Sequence, residues 1–277
     1  MAAILVPVDF SELSINALRH AYKISSMYQA HINMIYVIED NPLFNFVNEN
    51  ELSELISRVE NRFGDLKKEA EKITKKEAHY FITRGKVVDK ILEKAKELKV
   101  KFLVMGTSGS ADIRKKIVGT NTLRIIKEAD FPILSIKGNV PVKDYKTIVL
   151  PIDLTKETTQ KVRYAIQFAK FFDAKVHLIS VVNSGNYIVN DTLVYKLEQT
   201  CSSLSSENIR CEAKIEYESN SSSKVANKIL EYCNKVNADL IMIMTQQEVK
   251  TQKFFLGSLA KEIVNKANLP VLSINPK

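Results

Sequence analysis

The residues best placed to do chemistry in this 277-residue chain fall in two segments. Asp9 closes the apolar run Ile4-Leu5-Val6-Pro7-Val8, and three of only eight glycines fall in one stretch. That stretch reads Met105-Gly106-Thr107-Ser108-Gly109-Ser110, runs through the basic Arg114-Lys115-Lys116, and ends in Gly119-Thr120-Asn121. The spacing is G-x2-G-x9-G-T. Glycine lets the backbone approach a ligand closely. A helix beginning at Gly119 would present unpaired N–H groups and a partial positive charge. Thr120 adds a hydroxyl, and the three basic residues could offset phosphate charge. This is a sensible phosphate cradle. It is neither a Walker A loop, since no Gly-Lys-Ser/Thr closes it, nor a Rossmann G-x-G-x-x-G. The same glycines would also suit a tight turn and a helix start, and the loop alone supports both readings equally. Asp9 tips the balance, because a carboxylate at a neighbouring strand end can take ribose hydroxyls or a metal held by phosphates. Asp9 could also cap the following helix, and the two roles are compatible.

The elements that must position these residues alternate. Residues 4–9 read as a strand. Residues 11–28 have helical spacing (Leu13, Ala17, Leu18, Ala21, Ile24), with Ser11 as N-cap. A strand over 31–38 follows, then a long amphipathic helix over 49–76 whose apolar face is Leu52, Leu55, Ile56, Val59, Phe63 and Leu66. Further strands are predicted over 78–84, 101–106 and 132–137, with helices over 87–98 and 119–130. Such alternation argues for a mainly parallel sheet with helices on both faces. In an open α/β sheet, ligands bind at the carboxyl ends of the strands, where strand order reverses.

The unit occurs twice. Ile4-Leu5-Val6-Pro7-Val8-Asp9 recurs as Ile148-Val149-Leu150-Pro151-Ile152-Asp153, an offset of 144. Gly119-Thr120 recurs as Gly257-Ser258, and Phe131-Pro132-Ile133-Leu134-Ser135-Ile136 as Leu269-Pro270-Val271-Leu272-Ser273-Ile274, an offset of 138. The predicted organisation is a first domain over 1–138, a linker over 139–146 and a second domain over 147–277. Strands of the second copy are predicted near 147–153, 175–182, 209–217, 239–244 and 270–275.

Composition excludes several classes. With 45% hydrophobic and 26% charged residues, this is a globular chain and not a disordered one. No apolar run approaches the ~18 residues of a spanning helix, and the N-terminus has no basic stretch before an apolar one, so neither a membrane protein nor a secretory signal is expected. The net charge of +8 divides evenly, +4 in residues 1–138 and +4 in the remainder. An even spread fits a solvated lysine-rich surface and not a nucleic-acid footprint, which would cluster. Cys201, Cys211 and Cys233, spaced by 10 and 22, match no zinc or redox pattern and are expected to be reduced thiols in a cytoplasmic protein.

These residues resemble the universal stress protein (UspA-type) family. The likeness rests on Ile4–Ser11, on the strand at His31–Ile38, and on Met105-Gly106-x2-Gly109-x9-Gly119-Thr120; it covers nearly the whole chain, as two tandem copies. It implies two flavodoxin-like, three-layer domains of the kind shared with adenine nucleotide alpha-hydrolases, each with a five-stranded parallel sheet of order 3-2-1-4-5. It implies binding of ATP, or of AMP or ADP, with Mg2+ as companion of the phosphates. Pro7, Val8, Asp9 and Val37 would line adenine and ribose; Met105, Gly106, Gly109, Ser110, Gly119, Thr120 and Asn121 would hold ribose and phosphates. It also implies association through the last strand of each domain, either as an intramolecular pseudo-dimer or as a homodimer. An unpaired apolar edge would otherwise invite aggregation.

The second copy departs from the pattern. Gly106 becomes Met244 and Gly109 becomes Gln247, while Phe254-Phe255-Leu256 enters the loop. Side chains at both turn positions should crowd a phosphate, so one functional site, in the first domain, is expected. Nothing marks a catalyst. No Gly-x-Ser-x-Gly elbow is present, His20, His31, His79 and His177 lack metal spacing, and no general base stands out for attack on a γ-phosphate. At most slow ATP hydrolysis is expected. The sequence thus reads as a regulatory nucleotide-binding module of stress response, with a scaffold that binds no nucleotide as the alternative.

Overall fold

The computed structural model describes residues 2–39, 49–107, 118–153, 158–183, 191–218, 221–245 and 256–276. In the first half, β1 (Ala3–Pro7), α1 (Glu12–Tyr28), β2 (His31–Glu39), α2 (Glu49–Thr74), β3 (Ala78–Gly85), α3 (Val87–Glu97), β4 (Phe102–Gly106), α4 (Thr120–Glu128) and β5 (Ile133–Ile136) follow one another. The second half repeats them as β6 (Thr147–Pro151), α5 (Thr158–Phe172), β7 (Lys175–Asn183), α6 (Asp191–Ser206), β8 (Cys211–Glu218), α7 (Ser222–Lys235), β9 (Leu240–Met244), α8 (Ser258–Lys266) and β10 (Val271–Ile274). The α/β alternation expected from periodicity is present throughout, and the observed limits differ from the predicted ones by one or two residues at most ends.

The strands form one ten-stranded sheet in the order β3-β2-β1-β4-β5-β10-β9-β6-β7-β8. Neighbours are parallel except at the centre, where β5 and β10 are antiparallel in the register Val271↔Ser135, Leu272↔Leu134 and Ser273↔Ile133. All four residues of each central strand are buried. That explains why they are apolar apart from one small serine each, Ser135 and Ser273, since strands covered on both faces need no polar alternation. One apolar layer covers α1, α2, α5 and α6 across both halves, and a second covers α3, α4, α7 and α8.

The halves are also tied outside the sheet. Lys137, just after β5, donates to the carbonyl of Asn265 in the last turn of α8. Asn275, just after β10, donates to the carbonyls of Ile126 and Ala129 at the end of α4. Each half thereby satisfies helix-end carbonyls of the other. The connecting segment lies along α1. The Asn16 amide donates to the Val140 carbonyl at 2.9 Å, Lys23 pairs with Asp144 at 2.8 Å, and His20 shares a hydrogen bond with the Tyr145 hydroxyl at 2.9 Å. Asn16, His20 and Lys23 stand four and three positions apart, one stripe of the helix. Tyr145 is fully enclosed and packs on Phe168 and Phe172 of α5, with ring centroids at 6.2 and 5.1 Å.

The expectation that the cysteines are reduced is corrected for two of them. Cys201, in the last turns of α6, and Cys211, the first residue of β8, form a disulfide with Cα atoms 5.4 Å apart. The short return from helix to strand brings them together, and neither spacing nor composition reveals that. Cys233 is free and buried, and burial pushes its thiol up to about 12.

Two outcomes follow from the joint. Tyr145→Ala removes a buried aromatic and should cost about 3–5 kcal/mol in urea unfolding. Burial, reinforced by Lys23, holds the His20 imidazole below its ordinary 6.5 despite the bond to the Val140 carbonyl. The unfolded chain therefore binds the proton more readily, so this contribution is complete above about pH 6.5 and is lost as pH falls below it. Unfolding free energy measured between pH 8 and 5 should decline on the acid side, less steeply in His20→Gln. His177, lowered mainly by burial and also by Lys175, sustains the remaining slope.

Candidate functional site

Strand β1 pairs with β2 on one side and with β4 on the other, and the chain leaves β2 and β4 in opposite directions across the sheet. The carboxyl ends of β1 and β4 therefore border a crevice. A cleft of about 440 Å³ opens there. Of the residues singled out from sequence, Pro7, Val8, Asp9, Val37, Met105, Gly106, Gly119, Thr120 and Asn121 all line it. Gly109 and Ser110, with Arg114, Lys115 and Lys116, lie outside the described residues. Ser14, Tyr36, Glu39, Val87 and Thr107 also line the cleft. No motif marks them; alternation along β2 could have suggested Glu39, two residues beyond Val37 on the same face.

The turn after β1 is built to hold Asp9 out. Phe10 adopts a left-handed backbone with φ 64°, which is costly for a bulky residue. Its ring packs on Phe63 and Tyr36 at 5.0 and 5.6 Å. The Arg62 guanidinium lies 4.1 Å from its centroid, and its Nη2 donates to the Phe10 carbonyl at 3.4 Å. The long helix α2 therefore stabilises a strained turn beside the cleft. Ser11 is the N-cap of α1, its hydroxyl accepting from the Ser14 N–H at 3.2 Å. Asp9 accepts from the Ser11 N–H at 2.9 Å and from its hydroxyl at 2.6 Å. Partial burial raises the Asp9 carboxyl, but hydrogen bonds from Ser11 and Ser14 outweigh it and hold the group below the ordinary carboxylate value. Asp9 is thus an oriented anion at neutral pH.

The opposite wall is the start of α4, where Gly119 is the N-cap without a side-chain bond. Its N–H donates to the Thr107 carbonyl at 3.0 Å, and the Thr107 N–H donates to Ile136 at the same distance, 3.0 Å. Thr107 is 2% exposed, and its hydroxyl has no partner among the described residues. The two glycines differ in physical role. A Cβ on Gly106 would stand 3.0 Å from the Leu13 carbonyl oxygen, in the first turn of α1. Gly106 therefore lets α1 pack closely on the end of β4, a reason the sequence does not disclose. Among the described residues, a Cβ on Gly119 would meet only the Thr107 carbonyl, at 3.8 Å, and its φ of −58° is open to any residue. Packing among the described residues does not require glycine there. The charged residues lining the cleft are Asp9 and Glu39, with no Lys or Arg among the described ones. No cluster of three metal-ligating side chains occurs among the described residues.

The equivalent pocket of the second half, at the ends of β6 and β9, is smaller, about 150 Å³. Met244 stands where Gly106 would, and Lys161 where α1 has Ala17. Lys161 is 4% exposed and donates to the Pro151 carbonyl. Thr245, the counterpart of Thr107, has its hydroxyl bonded to Asn275 and to the Ile274 carbonyl.

The sequence profile of the universal stress protein family matches residues 1–137 and again 144–275. The chain belongs to that family. A universal stress protein of Methanocaldococcus jannaschii is 32% identical over 141 residues, covering 48% of this chain and 81% of its own. The solved structure of a universal stress protein from Archaeoglobus fulgidus DSM 4304 covers 99% of this chain and 96% of its own, with a TM-score of 0.79 at 19% identity, and shows the same fold over both halves. Another from Archaeoglobus fulgidus, solved in complex with dAMP, covers 48% of this chain and 99% of its own at 20% identity and a TM-score of 0.38. Among the described residues of this family member, no helix is long and apolar enough to cross a membrane.

The contrast between the glycines is measurable. Gly106→Ala should cost about 1–3 kcal/mol through overpacking against α1. Gly119→Ala should cost no more than about 1 kcal/mol, the scale of an N-cap change. Chemical denaturation of both variants checks the order.

Proposed function

We propose that this chain is an adenine nucleotide-binding module with one working site, in a first domain comprising residues 1–138, and that residues 147–277 form a second domain without a nucleotide site. ATP is the leading ligand, with AMP or ADP as its close relatives. The observation that carries this reading is the pairing, across one cleft, of an ionised Asp9 at the end of β1 with the N-terminus of α4 at Gly119 and Thr120, where the N-cap glycine has no side chain to cap it. A carboxylate suits ribose hydroxyls, and the free N–H groups and positive dipole end of a helix suit phosphates. The volume of about 440 Å³ lies in the range of small-molecule sites. Val8, Val37 and Met105 offer apolar contact to a base. The fold spends nothing in backbone strain on the glycine at 119, which supports a ligand as the reason for it.

The described lining carries carboxylates and no cation, so a polyphosphate needs its own counter-ion. Mg2+ arriving with the nucleotide fills that role, held by phosphate oxygens and not by a resident protein site. The basic Arg114–Lys116 stretch adds positive charge in the sequence close by. A module of this kind acts by occupancy, its nucleotide state altering contacts elsewhere in the cell's stress response.

The test begins with protein purified without added nucleotide. After denaturation, the supernatant should contain adenine nucleotide near one per chain, or the emptied protein should take up about one ATP with Mg2+. Asp9→Ala should weaken that binding by at least about tenfold, the loss expected for a charged hydrogen bond. Absence of nucleotide together with no thermal shift on adding ATP and Mg2+ would instead favour a scaffold role.

A further inference from the structure

The first cleft contains a buried hydroxyl without a hydrogen bond. Thr107 lies between the end of β4 and the start of α4, with 2% of its surface exposed. Its N–H donates to the Ile136 carbonyl and its own carbonyl accepts from the Gly119 N–H, both at 3.0 Å. Its hydroxyl has no partner among the described residues. Buried hydroxyls are normally paired, because a donor shut away from water forfeits the bonds it made there. The second half shows the paired arrangement, in which the Thr245 hydroxyl donates to the Asn275 side chain and lies within reach of the Ile274 carbonyl. Position 137, the first-half counterpart of Asn275, is a lysine whose ammonium donates to the Asn265 carbonyl of α8.

The surroundings of Thr107 indicate the chemistry of the missing partner. Thr107 lines the cleft together with Gly119, Thr120 and Asn121. An acceptor that meets it therefore lies at the N-terminus of α4, where unpaired N–H groups and the positive dipole end favour an anion. Asp9, the group suited to ribose hydroxyls, belongs to the β1 wall. A threonine hydroxyl rotates to donate where an acceptor is offered, and ionised phosphoryl oxygens only accept. We infer that the Thr107 hydroxyl donates to a phosphoryl oxygen of the bound nucleotide, and that it is a residue by which the cleft distinguishes a nucleotide from a nucleoside. The inference rests on the nucleotide reading of this cleft and adds a side-chain contact where the glycines offer only backbone.

The test compares the full parent chain with Thr107→Val, which removes the hydroxyl and keeps the branched shape, and with Thr107→Ser, which keeps the hydroxyl. The nucleotide is whichever of AMP and ATP with Mg2+ the parent binds more tightly by isothermal titration, and adenosine is measured by displacing it. Thr107→Val should bind the nucleotide at least about tenfold more weakly, the loss of a hydrogen bond to a charged group, while adenosine changes by less than about twofold. Thr107→Ser should hold the nucleotide within about threefold of the parent. The urea midpoint of nucleotide-free Thr107→Val should equal or exceed the parent's, because the group removed has no partner to lose, whereas a hydroxyl with a structural role would lower it. Should Thr107→Val fail to fold, Thr107→Ala takes its place in the binding comparison. Nucleotide bound equally by the parent and Thr107→Val, or nucleotide and adenosine weakened alike, would overturn the inference and leave the nucleotide reading standing. A parent chain that binds neither AMP nor ATP would overturn both.

Discussion

The antiparallel pairing of β5 with β10 is the constraint from which the rest of the molecule follows. Each is the last strand of a parallel unit, each is four residues long and buried along its whole length, and each would otherwise present a row of unpaired backbone groups on an apolar edge. Joined to each other, they convert two half-covered sheets into one sheet of ten strands, whose two apolar layers run unbroken across the joint. The reciprocal capping by Lys137 and Asn275 and the strap along α1 depend on that geometry. They can form only when the end of each last strand lies beside the final helix of the other half.

The same pairing fixes where ligands can go. Because β5 and β10 run in opposite directions while all other neighbours are parallel, the carboxyl ends of the two halves lie at opposite ends of the strands. The clefts cannot share a ligand, and duplication has left them free to diverge. Both keep a glycine N-cap at the last helix, and the first has in addition an oriented carboxylate and a roomy cleft. The second has exchanged glycine for Met244 and alanine for Lys161, with a smaller pocket as the result. One helix, α1, touches both the first cleft, through Ser11, Leu13 and Ser14, and the interdomain strap, through Asn16, His20 and Lys23. Whatever shifts its first turn is mechanically joined to the connection between halves.

Much of this was legible in the sequence, because the signals are local. The period of α2, the apolar runs of the strands and the Ser11 cap each depend on a few neighbouring residues. The convergence of Asp9 with Gly106 followed from the family resemblance, whose implied strand order 3-2-1-4-5 sets the ends of the first and fourth strands side by side. What escaped depends on contacts between residues distant in sequence. The close contact at Gly106 comes from the Leu13 carbonyl across the strand–helix interface. The Cys201–Cys211 bond comes from how α6 turns back into β8. Thr107 and Thr245 look alike in sequence, but the Thr245 hydroxyl bonds Asn275, whose first-half counterpart is Lys137, while the Thr107 hydroxyl has no partner among the described residues. Lys161 reads as one more surface lysine of an amphipathic helix until its burial is seen.

The central claim, one nucleotide held at the ends of β1 and β4 of the first half, is tested most directly by photolabelling the intact chain with 8-azido-ATP and mapping the modified peptides. The account predicts labelling confined to peptides of residues 1–138, around Val37 or Met105, and suppressed by excess ATP. Equal labelling of the peptides that carry Met244 or Gly257, or labelling that ATP does not suppress, would contradict it.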